Sequence, residues 1–292
     1  MEVRNVLIVG LGLLGGSLGM ALKGKQYRRL GWSRREETRA LALKMDAVDE
    51  IFATPEEALK EADLTILCLP VPVIPEFLQI CRKFCKPGSV ITDIGSVKGV
   101  IVDAARKALA DSGIHFTGSH PMAGTEKSGL ENAFATLYHN ADGFITPGDS
   151  PEADDAVVEF WAAAGVRITR ISPEDHDDLV AHTSHVLHIV ASALALAILE
   201  GKSPEETALR FAGCATGFRD TSRIASSNPA MWREIVENNR MAVLNAMSGF
   251  DKWYAHFREL IQNGNFDEFE KVFAEGKRLR DSWTAYKENH KK

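Results

Sequence analysis

Cysteine is scarce in this chain: four in 292 residues, Cys68, Cys81, Cys85 and Cys214. No CxxC pair is present, so neither a disulfide framework nor a cysteine-built metal centre is expected. Cys81 and Cys85, four apart on a predicted helix, read as reduced packing residues rather than metal ligands. Positive charge is not in excess either. The formal net charge is −6 and no basic stripe is present, which argues against nucleic acid as a partner. Long apolar runs are missing too. The longest, Ile189 to Leu199, falls short of a bilayer span, so no membrane partner is expected. The N-terminus shows no leader pattern and opens directly into a strand. Repeats and low-complexity segments are absent. Together these absences predict a cytoplasmic globular protein, for which 45% hydrophobic and 25% charged residues are ordinary values. The length allows two domains.

What is present begins at the fifth residue. Val6-Leu7-Ile8-Val9 is an apolar, β-prone run and reads as a buried parallel strand. Gly10-Leu11-Gly12-Leu13-Leu14-Gly15 follows at once and leads into a helical pattern. This is GxGxxG in strand–turn–helix context. Gly10 permits the tight turn, Gly12 lets a pyrophosphate approach, and Gly15 lets helix pack on strand. Leu13 and Leu14 lie at the helix N-terminus, whose N–H groups face the phosphates. The alternative is a glycine-rich turn with no ligand.

The end of the second strand bears on which dinucleotide binds. Arg29 to Trp32 reads as that strand, and Ser33-Arg34-Arg35 follows. Where an NAD site places Asp or Glu for the ribose 2′-hydroxyl, this chain has Ser33 with two arginines behind it. A hydroxyl and guanidinium groups suit a 2′-phosphate, so NADP is favoured, with NAD possible. Ser33 also has a structural reading, as a helix cap in a capping box with Glu36.

Strands and helices keep alternating. Leu64 to Leu69 and Ser89 to Ile94 read as buried strands, and His115-Phe116-Thr117 as a further one. Helical patterns start at Thr54, Val73 and Val97. The alternation predicts a doubly wound parallel sheet, whose ligands bind beyond the carboxyl ends of the strands. Leu69 and Pro70, the Gly95-Ser96-Val97-Lys98 segment, and a loop around His120 sit there. They should converge with the glycine loop on one cleft. His120 lies in GSHPMAGTEKSG, a run without helix or strand periodicity. Small residues there allow close approach of a ligand, and a histidine suits proton transfer near neutral pH.

The second half turns helical. SPED at 172–175 and SPEE at 203–206 are helix starts. One long helix is predicted from Met231 to Ile261, and Val186 to Leu199, apolar all round, reads as a buried central helix. Phe266, Phe269, Phe273, Trp283 and Tyr286 share one face of a last helix, read either as a dimer face or as intramolecular core. The domain boundary is placed near residue 171, giving domains 1–171 and 172–292. His182, His185 and His188 lack a fitting metal partner, so one or two are expected at the cleft as hydrogen-bond donors and no metal is expected. Arg219 or Arg223 could clamp a substrate carboxylate, with a surface ion pair as the alternative.

Taken in order, GLGLLGGS at 10–17, DIGSVK at 93–98, GSHPMAGTEKSG at 118–129, SPEDHD at 172–177 and GFRDTSRIASSNPAMW at 217–232 resemble the prephenate/arogenate dehydrogenase family of tyrosine biosynthesis. The resemblance spans nearly the whole chain. It implies an α/β Rossmann-type domain, an all-α dimerisation domain, a homodimer and an active site between the domains. With the chain ending in helices, no further regulatory or mutase domain is expected. The implied substrate is a cyclohexadienol bearing a ring carboxylate, oxidised and decarboxylated to a phenol.

In the resemblance His120 matches the proton-accepting histidine and Ser96 the serine that orients hydroxyl and nicotinamide. Arg223 matches the carboxylate-binding arginine, and His188, with His185, the histidines at the side-chain end. Trp232 matches a pocket tryptophan, and Thr125 joins the substrate set. Arogenate carries an ammonium where prephenate carries a keto group, and an acidic neighbour would favour the ammonium. Glu131, with Glu126 as second candidate, leans the expectation to arogenate. Exposure, or pairing with Lys127, is the alternative for both. Two rival functions stand beside this one: a β-hydroxyacid (6-phosphogluconate-type) dehydrogenase, whose lysine motif is missing, and a non-enzymatic NADP-sensing module.

Overall fold

The computed structural model describes residues 1–125 and 127–289. The larger sheet contains β1 (Asn5–Val9), β2 (Arg28–Trp32), β3 (Glu50–Ile51), β4 (Leu64–Leu67), β5 (Val90–Asp93) and β6 (His115–Phe116). Its order is β3-β2-β1-β4-β5-β6, and every pairing is parallel. Between the strands run α1 (Leu13–Ala21), α2 (Glu36–Lys44), α3 (Pro55–Glu61), α4 (Ile74–Phe84) and α5 (Gly99–Leu109). Chain order reverses beside β1, which is where a doubly wound sheet opens a crevice for ligand. β1 and β4 are covered on both faces, which explains their unbroken apolar sequences NVLIV and LTIL.

A second sheet was not legible in the sequence. β7 (Gly118–Pro121) pairs antiparallel with β8 (Asp142–Thr146), which pairs parallel with β9 (Arg167–Arg170). α6 (Pro151–Ala163) connects the last two. His120 therefore stands on a strand opposite Phe144, not on a loop as expected. The period-2 signal is missing because Gly118, Ser119 and Pro121 are buried by packing that their side chains do not advertise.

The remaining helices are α7 (Pro173–Val180), α8 (Val186–Leu199), α9 (Pro204–Gly213), α10 (Thr216–Ser222), α11 (Pro229–Asn238), α12 (Arg240–Gln262) and α13 (Phe266–Asn289). Thr54, Ser172 and Ser203 cap their helices by accepting from Glu57, Asp175 and Glu206 N–H, as their sequence signatures predict. The capping box expected at Ser33 does not form. α2 starts at Glu36 with Arg35 in the cap position, and no side chain caps it.

Two helical expectations are corrected. The predicted Met231–Ile261 helix is two helices, broken at Asn239. α8 is not a buried central helix: only Val186 and Ala191 are buried, and Leu196 is 64% exposed. Its apolar surface has too little of its own chain above it. α8 also continues α7 through a wide π turn at Ala181–His185. The resulting 27-residue run Pro173–Leu199 is long and apolar enough, by length and composition alone, to cross a membrane. Its first part carries Asp175, His176, Asp177 and Asp178 and packs on α5 and β8.

The chain divides into two compact units, Met1–Arg240 and Met241–Lys292. In the second unit Phe257 meets Phe269 edge-on, and Phe269 stacks on Phe273. Phe266, Phe273, Trp283 and Tyr286 on α13 are each more than half exposed, so this face is not an intramolecular core.

Candidate active site

The glycine loop has the shape a pyrophosphate requires. Gly10 has φ +96°, and a Cβ there would collide with the Cys68 carbonyl. A Cβ on Gly15 would collide with Gly10 O, which is the close helix–strand approach the third glycine permits. Around Gly12 there is open space: an added Cβ meets nothing within 4 Å. The gap lies at the N-terminus of α1, whose Gly12 cap supplies no side-chain acceptor. Leu13 is buried and Leu14 half-buried, its carbonyl accepting from Tyr138 Oη at 3.1 Å. This cradle fits a dinucleotide phosphate.

The strand ends converge. A Leu69 methyl lies 3.2 Å from the position a Gly10 Cβ would take, and a Val71 methyl 3.5 Å from that of a Gly95 Cβ. Pro70 is exposed beside them and Ser96 half-buried. Beyond β2, Ser33 is half-buried and Arg34 and Arg35 are exposed. Arg39, which sequence reasoning missed, donates to Ser33 O at 2.8 Å and Arg34 O at 3.2 Å, bracing this turn.

Beneath the cleft lies a fully buried ion pair, Lys98 with Asp93. Lys98 Nζ also donates to Ser119 O at 2.7 Å, and Asp93 accepts from Ser119 N at 3.1 Å and Gly95 N at 2.7 Å. Trp161 Nε1 donates to Ser119 Oγ at 2.9 Å. The pair thus ties the Ser96 segment to the residue next to His120. Burial pushes the Lys98 ammonium below its ordinary range, with Asp93 pulling it back up. Both residues stood inside quoted motifs, yet nothing local distinguishes a buried lysine from a surface one.

His120 Nδ1 lies 3.0 Å from His176 Nε2, and His176 Nδ1 2.9 Å from Asp177 Oδ1. Asp177 also accepts from Lys98 N at 2.7 Å and Gly99 N at 2.8 Å, the start of α5. Burial holds His120 well below the usual histidine range, and His176, Lys98 and His185 push in the same direction. His176 is fully buried and is likewise depressed, first by burial. Sequence reasoning recorded SPEDHD only as a helix start with a family likeness and missed His176. The signal was available: a histidine followed by an aspartate in the first turns of a helix.

A second aromatic group forms nearby. His188 stacks on Trp232 with ring centroids 3.9 Å apart, and His185 meets Trp232 edge-on at 5.8 Å. Trp232 Nε1 is buried without a partner among the described residues. Buried His185 is depressed to about 4, mainly by burial. Asn239, at the helix break, donates to Asp177 O at 2.7 Å and lies 3.2 Å from His185 Nδ1. This residue too was missed, because only the fold brings it to the histidines. His182 is exposed and bonds back to Asp178.

The two arginines separate. Arg219 is exposed and pairs with Asp220, while Arg223 has no partner among the described residues. His188 is depressed first by burial, and Arg223 lies near enough to add to the effect. Thr125 is exposed and accepts from Lys127 N at 3.2 Å. Glu131 is exposed on a turn that packs over α1, and its carboxylate folds over Gly129. Glu126 lies outside the described residues.

The model of the prephenate dehydrogenase nucleotide-binding domain matches residues 18–170, and that of the prephenate dehydrogenase dimerization domain matches residues 172–275. The prephenate dehydrogenase of Bacillus subtilis is 34% identical over 282 residues, covering 95% of this chain and 74% of the relative. A crystal structure of prephenate dehydrogenase from A. aeolicus, with hydroxyphenyl propionate and NAD+, superposes with a TM-score of 0.87 at 32% identity, over 96% of this chain and 98% of that one. Synechocystis arogenate dehydrogenase follows at 0.84 and 29%, over 96% of this chain and 100% of that one. The rival hydroxyacid and sensor readings fall to these matches. With domain models across both halves and relatives along its length, the chain belongs to the prephenate/arogenate dehydrogenase family, NAD(P)-dependent oxidoreductases of oxidative decarboxylation.

Proposed function

We propose that the protein oxidises and decarboxylates arogenate, and prephenate less well, with NADP. The observation that carries the chemistry is His120, a half-buried histidine of lowered basicity whose neighbour Ser119 is tied to the Ser96 segment through Lys98 and Asp93. The bound nicotinamide supplies the hydride acceptor. His120 takes the hydroxyl proton while the carbinol carbon gives up its hydride. The ring carboxylate then leaves as carbon dioxide, its bonding electrons aromatise the ring, and the imidazolium returns its proton to the phenolic oxygen. Ser96 orients the hydroxyl. Arg223, free of a competing carboxylate among the described residues, clamps a substrate carboxylate. His185, His188 and Trp232 receive the side chain, with Thr125 at the rim. The cofactor half is 1–171 and the substrate half 172–292.

NADP is supported by Ser33, Arg34 and Arg35 after β2, in the place where an NAD site carries an Asp or Glu at the strand end. Arg34→Ala is expected to weaken NADP binding by at least about tenfold more than NAD, since a charge-assisted bond contributes roughly 1.5–3 kcal/mol. Equal losses for both dinucleotides, measured by titration, would sink the assignment. Arogenate is favoured because an ammonium gains from a carboxylate and a keto group does not; Glu131 and Glu126 are the acidic groups that follow His120 in the chain. The test is reduced-nicotinamide formation with each substrate. A higher kcat/KM for arogenate supports the preference, the reverse retires it, and turnover of neither overturns the reaction.

The exposed apolar faces of α8 and α13 fit a homodimer formed through the helical half. Four free cysteines fit a reducing, cytoplasmic setting.

A further inference from the structure

The hydrogen bonds around His120 decide where its proton sits. Despite burial, Asp177 is held ionised below the ordinary carboxylate range by its bond with His176 and by the backbone N–H groups of Gly99 and Lys98. An ionised carboxylate can only accept, so His176 must donate through Nδ1, 2.9 Å away. Buried and facing the Lys98 ammonium, His176 stays neutral, so its Nε2 carries a lone pair. That lone pair is 3.0 Å from His120 Nδ1, which must then carry the hydrogen. His120 Nε2 is left unprotonated.

We propose that His176 and Asp177 are positioning residues, a relay that locks His120 as the Nδ1–H tautomer with Nε2 bare as the proton acceptor. The inference rests on the reading of His120 as the base. In that role His120 keeps its bond to His176 after proton uptake, and Asp177 supplies a compensating charge beyond the His176 ring. Phe144, opposite His120 on β8, meets the His176 ring edge-on at 5.8 Å and fixes its plane. The charged and titratable groups facing the pair are Asp177 on α7, Lys98 before α5, Asp93 on β5 and His185 in the π turn. Of these Lys98 opposes protonation of both rings and His185 that of His120, while Asp177 and Asp93 favour protonation of His176.

The tautomer is read directly by 15N NMR of the histidine-labelled full chain. The expected result is a protonated Nδ1 and a bare Nε2 at His120. A protonated Nε2 in the unmodified protein overturns the relay. In Asp177→Asn the new amide can donate to His176 Nδ1, reversing both rings and placing the proton on His120 Nε2. Its kcat should fall on the order of 10²- to 10⁴-fold, with KM and the NADP Kd changed far less. Because that substitution also weakens the acceptor for the N–H groups at the α5 start, His176 is varied as well. His176→Gln keeps an oxygen that accepts from His120 and should retain most of kcat. His176→Leu removes the acceptor and should lose kcat, with KM and the NADP Kd changed far less. Equal kcat in the Gln and Leu variants, or a loss in Leu that falls on KM rather than kcat, would overturn the proposal. An Nδ1–H His120 in a protein that turns over neither substrate would support the relay and sink the assigned reaction instead.

Discussion

His120→Asn is expected to lower kcat with either dienol by about 10²- to 10⁴-fold while NADP still binds, the range a positioned general base contributes. Asparagine fills a similar volume on β7 and can still bond His176, so strand pairing with Phe144 is preserved. What it lacks is a lone pair that can take a proton and hold it. The wild-type rate should depend on pH in a definite sense. The base works when neutral, and burial holds His120 well below the usual histidine range. The acid limb of kcat/KM therefore lies below the ordinary histidine pKa of about 6.5, and activity is flat through neutrality as far as this group is concerned. Steady-state rates between pH 4 and 9, with NADP binding followed by fluorescence, check both parts. Turnover that survives the substitution would mean that the proton goes directly to water and that His120 only fills space.

Lys98→Met should be the most damaging substitution for stability. It removes the ammonium from a pair whose two side chains are both fully buried, and leaves the Asp93 carboxylate without a counter-ion. Removing one partner of such a pair costs about 3–5 kcal/mol, because the remaining charge stays desolvated. Asp93 keeps its bonds from Gly95 N and Ser119 N, which soften the loss without neutralising the charge. The double variant Lys98→Met, Asp93→Asn should recover part of the loss by removing the stranded charge. Urea unfolding of the wild type, the single variants Lys98→Met and Asp93→Asn, and the double variant checks this. A single-variant loss below about 1 kcal/mol, or a double variant worse than the sum of its parts, would refute the account. The substitution should also slow turnover, since Lys98 Nζ holds Ser119 O, the residue preceding His120.

These two residues illustrate different degrees of legibility. His120 stood out as a lone histidine among small residues, and the sequence run around it is specific enough to mark a site. Lys98 did not, because its burial depends on β5 and β7 meeting, and their residues are 26 apart at the Asp93–Ser119 contact. His176 was hidden for the opposite reason: its segment already had a sufficient local explanation as a capped helix start, with Ser172 bonding Asp175 N. By residue chemistry alone Arg219 and Arg223 were equivalent, and the family resemblance singled out Arg223. Only the structure pairs one with Asp220 and leaves the other beside His188.

By itself the amino-acid sequence determined the parallel sheet, the glycine loop, the capped helices and the change to an all-helical second half. These rest on interactions within a few residues: apolar runs, caps, and backbone freedom at Gly10. The tertiary structure alone decided the second sheet around His120, the helix break at Asn239, the exposure of α8 and the His120–His176–Asp177 chain. Each depends on a partner far along the chain or on cover the chain does not itself provide. Asn239 ends a helix whose apolar pattern continues past it, because its amide is used on Asp177 and His185 instead. Local patterns record what a segment can bury, whereas long-range hydrogen bonds decide which of its polar groups must meet.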